Sequence, residues 1–216
     1  MSLKSKVEKL PFYNQAVLPW HLGQAIFSTL RYGRPAKNLR VIGVTGTNGK
    51  TTTCFMIWQM LNDAGYKTGL LTTVAWGGVP DSQPNSAKHQ STNELILDGH
   101  QLHPQYEHMT TERVSILNAR MRAIADAGAE FLVLEVTSHA MSQFRTLGIP
   151  IEIAVLTNLT HDHLDYHKTF ENYRKAKLKL FKKAGRAVIN ADDKNANFFA
   201  RPFTKKYLKY DIKCLN

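Results

Sequence analysis

The sequence has few cysteines and no long apolar run. Its two cysteines, Cys54 and Cys214, show neither a metal-binding spacing nor a disulfide framework, which fits the reducing environment of the cytoplasm. No stretch approaches about 18 consecutive apolar residues, so the sequence predicts no membrane-spanning helix. The opening MSLKSKVEKL also lacks the apolar core of a secretory signal peptide. These absences predict a cytoplasmic protein without a membrane partner.

Acidic residues are scarce compared with basic ones. The 216 residues include 28 Lys and Arg against 17 Asp and Glu, which gives a net charge of +11. A basic chain can bind nucleic acid, but much of the excess charge lies in one predicted helix, 168–183, and in the tail, 201–213. The sequence contains no recognised nucleic-acid-binding module, and anionic small substrates explain the charge equally well. We therefore expect no nucleic-acid partner, and the sequence leaves the oligomeric state open.

Short apolar runs alternate with amphipathic stretches along the chain. Strands are predicted at 40–45, 68–74, 131–136, 151–157 and 186–190, with a further strand in the tail. Helices are predicted at 20–31, 50–64, 112–127, 138–146 and 169–183, with another beginning near Asp192. This alternation predicts an α/β fold with a mostly parallel sheet and helices on both faces. In such sheets ligands bind beyond the carboxyl ends of the strands, so the chemistry should directly follow the strands.

A long polar excursion, 76–109, interrupts the alternation. Inside it, the run LILDGHQL at 95–102 is typical of a hairpin that turns at Asp98-Gly99. Loops of this length in compact domains usually have a function.

The most informative run is VIGVTGTNGKTTT at residues 41–53. A β-branched stretch enters a glycine-rich turn, and an amphipathic stretch follows, which predicts a strand, a phosphate loop and a helix. Backbone N–H groups and the helix dipole can hold a phosphate, Lys50 adds a charge, and the Thr51 hydroxyl can bind Mg²⁺. Val44 stands where the generic pattern has glycine, so this is a variant loop. The alternative is a plain glycine-rich turn between strand and helix.

Polar residues follow two other predicted strands. Glu135 lies at the end of a buried strand, where a carboxylate is costly unless it is paired or binds a metal. It is therefore either structural or a Mg²⁺ ligand. The run NLTHDHLDYH at 158–167 contains three histidines and two aspartates, which suit either a metal site or a solvated polar loop. Zinc is possible, but the absence of cysteine there favours Mg²⁺ that arrives with a nucleotide.

Lys177 occupies an unexpected position on its predicted helix. Phe170, Tyr173, Leu180 and Phe181 form an apolar stripe at helical spacing, and Lys177 lies on that stripe. The other basic residues of the helix lie mostly off the stripe, where they can reach water. A lysine on a core-facing stripe either extends its ammonium to the surface or has a buried role.

Four strings of residues stand in an order and spacing that resemble a known family. They are GTNGKTT at 46–52, EVTSHA at 135–140, TNLTHDHLDYH at 157–167 and YRKAK at 173–177. Together they resemble the central ATP-binding domain of the Mur ligases, a phosphate-loop NTPase-like fold, over about 40–195. The DHLDYH string and the pair Gln143 and Arg145 are most similar to the MurE type. That type adds the third amino acid to UDP-N-acetylmuramoyl-L-alanyl-D-glutamate during peptidoglycan synthesis.

The resemblance implies an ATP-dependent amide ligase that works through an acyl phosphate, with ATP and Mg²⁺ as cofactors. Its partners would be the UDP-muramoyl peptide substrate and an amino acid. The implied ATP-phosphate ligands are Gly46, Thr47, Asn48, Gly49, Lys50, Thr51 and Thr52. The implied Mg²⁺ ligands are Thr51, Glu135, His163 and Lys177, the last as a carbamylated lysine. Lys50, Lys177 and His163 take the catalytic positions, and the implied substrate contacts are Thr110, Thr111, Thr137, Gln143 and Arg145.

The sequence departs from the MurE pattern in a few places. Glu112 replaces a proline after the threonine pair, and Thr137 replaces a serine while keeping the hydroxyl. The excursion 76–109 also looks longer than usual. These departures concern the substrate and not the ATP chemistry, and the sequence does not indicate which amino acid is added.

The resemblance also predicts a domain organisation. Residues 1–38 would be an arm or a remnant of a preceding domain, and 39–216 the ATP-binding domain, with the family's C-terminal domain absent. On that interpretation the chain is a fragment or a natural short relative and is a poor ligase alone. The main alternative is a non-catalytic nucleotide-binding module that works with a partner chain. A folylpolyglutamate or cyanophycin synthetase is disfavoured by the strings around Glu135 and at 162–167.

Overall fold

A computed structural model describes residues 17–79, 95–97, 100–104, 111, 113–203 and 207–210. Its strands are β1 (Arg40–Thr45), β2 (Thr68–Leu71), β3 (Ala75–Gly77), β4 (Leu95–Leu97), β5 (His100–Pro104), β6 (Phe131–Glu135), β7 (Ile151–Leu156), β8 (Arg186–Asn190) and β9 (Tyr207–Tyr210). Its helices are α1 (Leu18–Arg31), α2 (Lys50–Asp63), α3 (Val114–Asp126), α4 (Ser138–Ser142), α5 (Leu164–His167), α6 (Phe170–Lys183) and α7 (Ala196–Ala200). None of the helices in these ranges has both the length and the apolar composition that crossing a membrane requires.

Within the described residues, all the strands join one sheet, in the order β4-β5-β3-β2-β6-β1-β7-β8-β9. Neighbouring strands in the part β2-β6-β1-β7-β8-β9 of this order pair in parallel. The strands β3, β4 and β5 add an antiparallel edge. The predicted α/β fold with a mostly parallel sheet is therefore confirmed. Because β1 lies between β6 and β7, the carboxyl ends of these three strands lie side by side, where ligands bind in such sheets.

Both faces of the central strand β1 are buried, because successive side chains point to opposite faces. Val41 packs in a core that contains Met121 of α3 and Leu180 of α6. Ile42 and Val44 pack in a second core, whose largest member is Trp58 of α2 in the helix that follows the loop. Burial on both faces explains why β1 is a nearly continuous apolar run instead of an alternating one.

The second strand ends earlier than predicted. β2 stops at Leu71, because the Thr72 hydroxyl accepts hydrogen bonds from the N–H groups of Val74 and Ala75, at 3.2 and 3.0 Å. This side-chain turn sends the chain back into the antiparallel strand β3. The predicted hairpin at 95–102 is confirmed as β4 and β5, with Leu97 opposite His100. Asp98 and Gly99, at its predicted turn, lie outside the described residues.

Two helices are shorter than predicted. α4 ends at Ser142 instead of 146, and Phe144 just beyond it has a φ of +56°, a left-handed conformation that stops an α-helix. The helix expected near Asp192 begins only at Ala196, because Asp193 first accepts hydrogen bonds from the backbone and side chain of Asn195.

Candidate active site

The phosphate loop connects β1 to α2, and two of its glycines are required by the local geometry. A Cβ added at Gly46 would lie only 1.9 Å from Thr157 Oγ1, so no other residue fits there without a shift. Gly49 has a φ of +76° and is the N-cap residue of α2, a conformation that glycine adopts without steric cost. Since Gly49 has no side chain to cap the helix, the first N–H groups of α2 are available to an anion.

The segment after β7 holds the loop from one side. The N–H of Thr47 donates to Asn158 O at 2.9 Å, and the N–H of Asn48 donates to Asn158 Oδ1 at 2.9 Å. The hydroxyl of Thr157 in turn donates to Asn48 O at 2.7 Å. Lys50 folds back over the loop, with its Nζ 2.9 Å from Thr47 O. These bonds connect the loop to the segment after β7 and to the Lys50 side chain.

Glu135 ends β6 beside the first turn of α2 and is only 3% exposed. Its Oε2 accepts three hydrogen bonds, from Thr51 Oγ1 at 3.0 Å, from Thr73 Oγ1 at 3.2 Å and from the N–H of Thr73 at 3.1 Å. These donors offset the cost of burying the carboxylate. The pairing of the Thr51 hydroxyl with a carboxylate also sets two oxygen atoms side by side, and oxygen is the type of donor that Mg²⁺ prefers.

Lys177 of α6 contacts the start of the same loop. It is 2% exposed, and its Nζ donates to Gly46 O at 2.6 Å and to Thr45 Oγ1 at 3.4 Å. Nζ also lies 4.7 Å from the centroid of the Tyr173 ring. Burial, and then the positive charge of Lys50, lower the pKa of Lys177 to about 7. Of the two interpretations of the apolar stripe, the buried role therefore applies, and extension to the surface is wrong.

Three of the predicted substrate-contact residues form one hydrogen-bonded group with Thr111. The hydroxyls of Thr111 and Thr137 are 3.2 Å apart, and the N–H of Thr137 donates to Thr111 Oγ1 at 3.0 Å. Arg145 donates to the backbone oxygen of Thr111 and, at 2.6 Å, to Gln143 Oε1. Thr110 lies outside the described residues. Arg145 thus connects the segment after α4 to Thr111, which lies just before α3.

His163 lies in an aromatic cluster a short distance along the chain from the loop contacts of Asn158. It is the N-cap residue of α5, with a φ of +51°. Its ring lies 5.0 Å from that of His139 and 6.1 Å from that of Tyr173, and its Nε2 is 3.4 Å from Asp162 Oδ2. In the part of the chain that the structure describes, no three His, Cys, Asp or Glu side chains converge as a metal-binding group.

Two further histidines of this cluster are held in the neutral form. Burial, followed by the charge of neighbouring histidines, lowers the pKa of His139 and of His167 to about 4 each. The Nε2 atom of His167 lies 2.9 Å from Ser138 Oγ, and both residues are buried. At neutral pH the ring of His167 therefore has one donor and one acceptor nitrogen.

Sequence reasoning missed several residues that shape the site. Thr73 is the second residue after β2, so the rule that chemistry follows strands would have found it if the predicted strand had not been extended to 74. The side chain of Asn158 lay within a string already selected, but it was given no role. Tyr173 was assigned to an apolar stripe, yet its hydroxyl lies 3.2 Å from Thr47 Oγ1.

The chain is similar in sequence to a known family and to its curated members. The family profile of the Mur ligase middle domain matches residues 44–214. The UDP-N-acetylmuramoyl-L-alanyl-D-glutamate--2,6-diaminopimelate ligase of Clostridium perfringens is 40% identical over 169 residues, which are 78% of this chain and 30% of the relative. The ligase of the same name from Bacillus velezensis is 37% identical over 198 residues, 88% of this chain and 36% of the relative. The chain thus spans about a third of the length of these relatives.

Solved structures show the same similarity. A UDP-N-acetylmuramoyl-L-alanyl-D-glutamate--2,6-diaminopimelate ligase superposes with a TM-score of 0.62 at 32% identity, over 94% of this chain and 37% of that chain. The folylpolyglutamate synthase of Mycobacterium tuberculosis, solved with ADP, has a TM-score of 0.61 at 16% identity, over 88% of this chain and 46% of that chain. At 16% identity this second likeness shows the fold alone.

Proposed function

The chain belongs to the Mur ligase family, and from that premise we propose that it is the ATP-binding part of an ATP-dependent amide ligase. The ligase would join an amino acid to UDP-N-acetylmuramoyl-L-alanyl-D-glutamate in peptidoglycan precursor synthesis, through an acyl phosphate. The domain would comprise residues 39–216, preceded by the arm 1–38. The observation that carries the proposal is the 3.0 Å hydrogen bond between Thr51 of the phosphate loop and the buried Glu135.

The nucleotide half of the proposed site is formed by the phosphate loop. The N–H groups at the start of α2 and the Lys50 ammonium would bind the phosphates within residues 46–52. Thr51 and Glu135 would be the oxygen ligands of Mg²⁺, joined by His163 and by a modified Lys177. Held by these residues, Mg²⁺ would supply positive charge that neutralises the phosphates. The protein itself would act by positioning groups and by offering fixed charges where negative charge develops.

The acceptor half of the proposed site is the group around Thr111. Thr111 and Thr137 offer hydroxyls, Gln143 an amide, and Arg145 a guanidinium that is already held in place by its bonds to Gln143 Oε1 and Thr111 O. An arginine with its fork fixed in advance loses little side-chain freedom when it binds a carboxylate. We propose that this group orients the substrate carboxylate toward the nucleotide. A nucleotide-binding module without ligase function would bind ATP and leave this second group unused.

The first prediction tests nucleotide binding. Replacing Lys50 with alanine should weaken Mg-ATP binding by about 10- to 100-fold, because one charge-assisted hydrogen bond to phosphate is worth about 1.5–3 kcal/mol. The fold should be unaffected, since the described contact of the Lys50 ammonium is with its own loop at Thr47 O. Isothermal titration calorimetry on the two proteins measures the difference.

Lys182→Ala is the matched control for this prediction. It removes the same charge from an exposed position on α6 and should bind Mg-ATP like the wild type. If Lys50→Ala and Lys182→Ala had the same affinity for Mg-ATP as the wild type, Lys50 would have no role in phosphate binding. The assignment of residues 46–52 would then be wrong.

The second prediction concerns modification of Lys177. Burial lowers the pKa of Lys177 to about 7. At about pH 7, roughly half of the Lys177 amine is therefore neutral and can attack CO₂. The new N–C bond forms as a proton leaves to solvent, and the product is a carbamate anion that can bind Mg²⁺. With ¹³C-labelled bicarbonate and Mg²⁺ present, carbon NMR should show one carbamate signal that disappears in Lys177→Arg.

Lys183→Arg is the control for the carbamate signal, because Lys183 lies on the same helix and partial desolvation of its ammonium, which donates to Thr146 O, lowers its pKa although the residue as a whole is exposed. The signal should persist in that variant. A signal of equal intensity in Lys177→Arg, or no signal in the wild type with saturating bicarbonate and metal, would show that Lys177 is not carbamylated.

A further inference from the structure

A series of buried contacts begins at the phosphate loop with Thr47. The hydroxyl of Thr47 lies 3.2 Å from the hydroxyl of Tyr173 in the first turn of α6. It also accepts a hydrogen bond from the N–H of Thr160 at 2.9 Å. Thr47 is 8% exposed and Tyr173 is fully buried. A shift of the loop at Thr47 therefore acts directly on Tyr173.

The series continues from Tyr173 to α4 through His167. The rings of Tyr173 and His167 lie 5.4 Å apart, and His167 Nε2 is 2.9 Å from Ser138 Oγ. Ser138 is 1% exposed and is the first residue of α4. A buried hydroxyl and a buried imidazole that share one hydrogen bond cannot separate without leaving a polar group unsatisfied. His167 thus connects α6 with the start of α4.

The series ends at the group proposed to hold the substrate. Ser138 follows Thr137, whose hydroxyl caps α4 by accepting from the N–H of Ala140 at 3.3 Å. The same hydroxyl lies 3.2 Å from that of Thr111. The contacts therefore run without a break from the phosphate loop to Thr111 and Thr137.

The short helix α5, which contains His167, is flanked by two residues in an uncommon backbone conformation. His163 before it and Lys168 after it have φ values of +51° and +68°. For residues other than glycine this region is sparsely populated and persists only where surrounding contacts impose it. The His167–Ser138 bond and the packing of the Tyr166 ring against the His139 ring, with ring centroids 4.2 Å apart, are such contacts. The contacts of His167 and Tyr166 therefore help to hold α5 in this conformation.

We propose that His167 is a positioning residue that, together with Tyr173 and Ser138, couples nucleotide binding at the phosphate loop to substrate binding at Thr111 and Thr137. The coupling should be positive, because a ligand that fixes one end of the series leaves less to be ordered at the other end. This inference rests on the proposed function, which supplies the two ligands.

The test measures the affinity of this chain for a Mg-bound, non-hydrolysable ATP analogue by calorimetry. Each protein is titrated with and without saturating UDP-N-acetylmuramoyl-L-alanyl-D-glutamate. The wild type should bind the nucleotide about tenfold more tightly with the second ligand present. Tyr173→Phe and Ser138→Ala should reduce that factor to about twofold or less, while the affinity for each ligand alone changes by less than about threefold. Tyr66→Phe, at an exposed tyrosine, should keep the wild-type factor.

Two further variants separate positioning from a general loss of structure. His167→Gln places an amide near the position of Nε2 and should retain the coupling, whereas His167→Leu should lose it. The double variant Tyr173→Phe with Ser138→Ala should lose no more than either single variant, because residues in one series act as a unit. Should His167→Leu fail to fold, Tyr173→Phe, which lacks one oxygen atom, decides the question.

The outcomes distinguish this inference from the proposed function. Wild-type coupling in Tyr173→Phe and Ser138→Ala would overturn the inference alone, as would a wild type that binds both ligands independently. If the wild type bound neither ligand, the proposed function would be overturned and this inference with it.

Discussion

Replacing Lys177 with methionine should remove a pH dependence of stability that the wild type has above neutral pH. The folded state holds the pKa of Lys177 at about 7, against 10.5 for a lysine side chain that is free in water. Between these pH values the unfolded chain binds a proton that the folded protein has released. The free energy of unfolding of the wild type therefore rises with pH across this window, by about 3 kcal/mol between about pH 7 and 9.5 from this one group.

The sign follows from which state binds more protons. Below about pH 7 both states bind the proton, and the cost of burying the charged amine is fully present. As the pH rises toward the unfolded pKa, the buried amine is already neutral, so the cost disappears. Methionine has a similar length and no charge. In Lys177→Met, residue 177 should therefore contribute nothing to the pH dependence of the free energy of unfolding. Loss of the 2.6 Å bond to Gly46 O is a pH-independent penalty of about 1 kcal/mol.

Urea denaturation at several pH values measures the prediction, in CO₂-free buffer without Mg²⁺ so that the amine stays unmodified. The quantity of interest is the wild-type free energy of unfolding minus that of Lys177→Met, since all other titrations cancel in this difference. Lys182→Met, at an exposed position on the same helix, should run parallel to the wild type. Parallel curves for the wild type and Lys177→Met would mean that Lys177 is not buried in solution.

The parallel part of the fold was predictable because burial on both faces leaves a local signature. The runs that became β1, β6 and β7 are mostly apolar, with Glu152 inside β7 as an exception, and each observed boundary lies within a residue of the predicted one. The antiparallel edge of the sheet was harder to predict from the sequence. Thr72, Thr73 and Val74 favour a strand by composition, but hydrogen bonds that the Thr72 hydroxyl accepts turn the chain, and composition does not reveal such bonds.

Local strings in the sequence also located part of the candidate site. The glycine spacing predicted the loop, and the helical stripe identified Lys177 as misplaced. The partners of these residues were not predictable, because they are distant in sequence. Asn158 contacts a loop about 110 positions earlier, and the register of β1 against β7 decides that contact. Tyr173 was indistinguishable from a core residue, since the use of its hydroxyl depends on where the loop lies.

Glu135 gives the second large effect, because two substitutions separate its charge from its hydrogen bonds. Glu135 Oε2 accepts from the hydroxyls of Thr51 and Thr73 and from the N–H of Thr73. In Glu135→Gln, the amide oxygen can accept the same bonds, and the negative charge is lost. In Glu135→Ala, all three donors lose their acceptor in a buried site. The two variants should therefore fail in different ways.

Glu135→Ala should be less stable than the wild type by about 2–4 kcal/mol, the sum of a small cavity and of buried donors without a partner. Glu135→Gln should unfold within about 1 kcal/mol of the wild type, yet its affinity for ATP should gain little from added Mg²⁺, because the carboxylate ligand is missing. Urea denaturation gives the first comparison, and calorimetric titration with ATP in EDTA and in Mg²⁺ gives the second. If Glu135→Gln kept the full wild-type response to Mg²⁺, the buried carboxylate would be a structural acceptor for Thr51 and Thr73 and not a metal ligand.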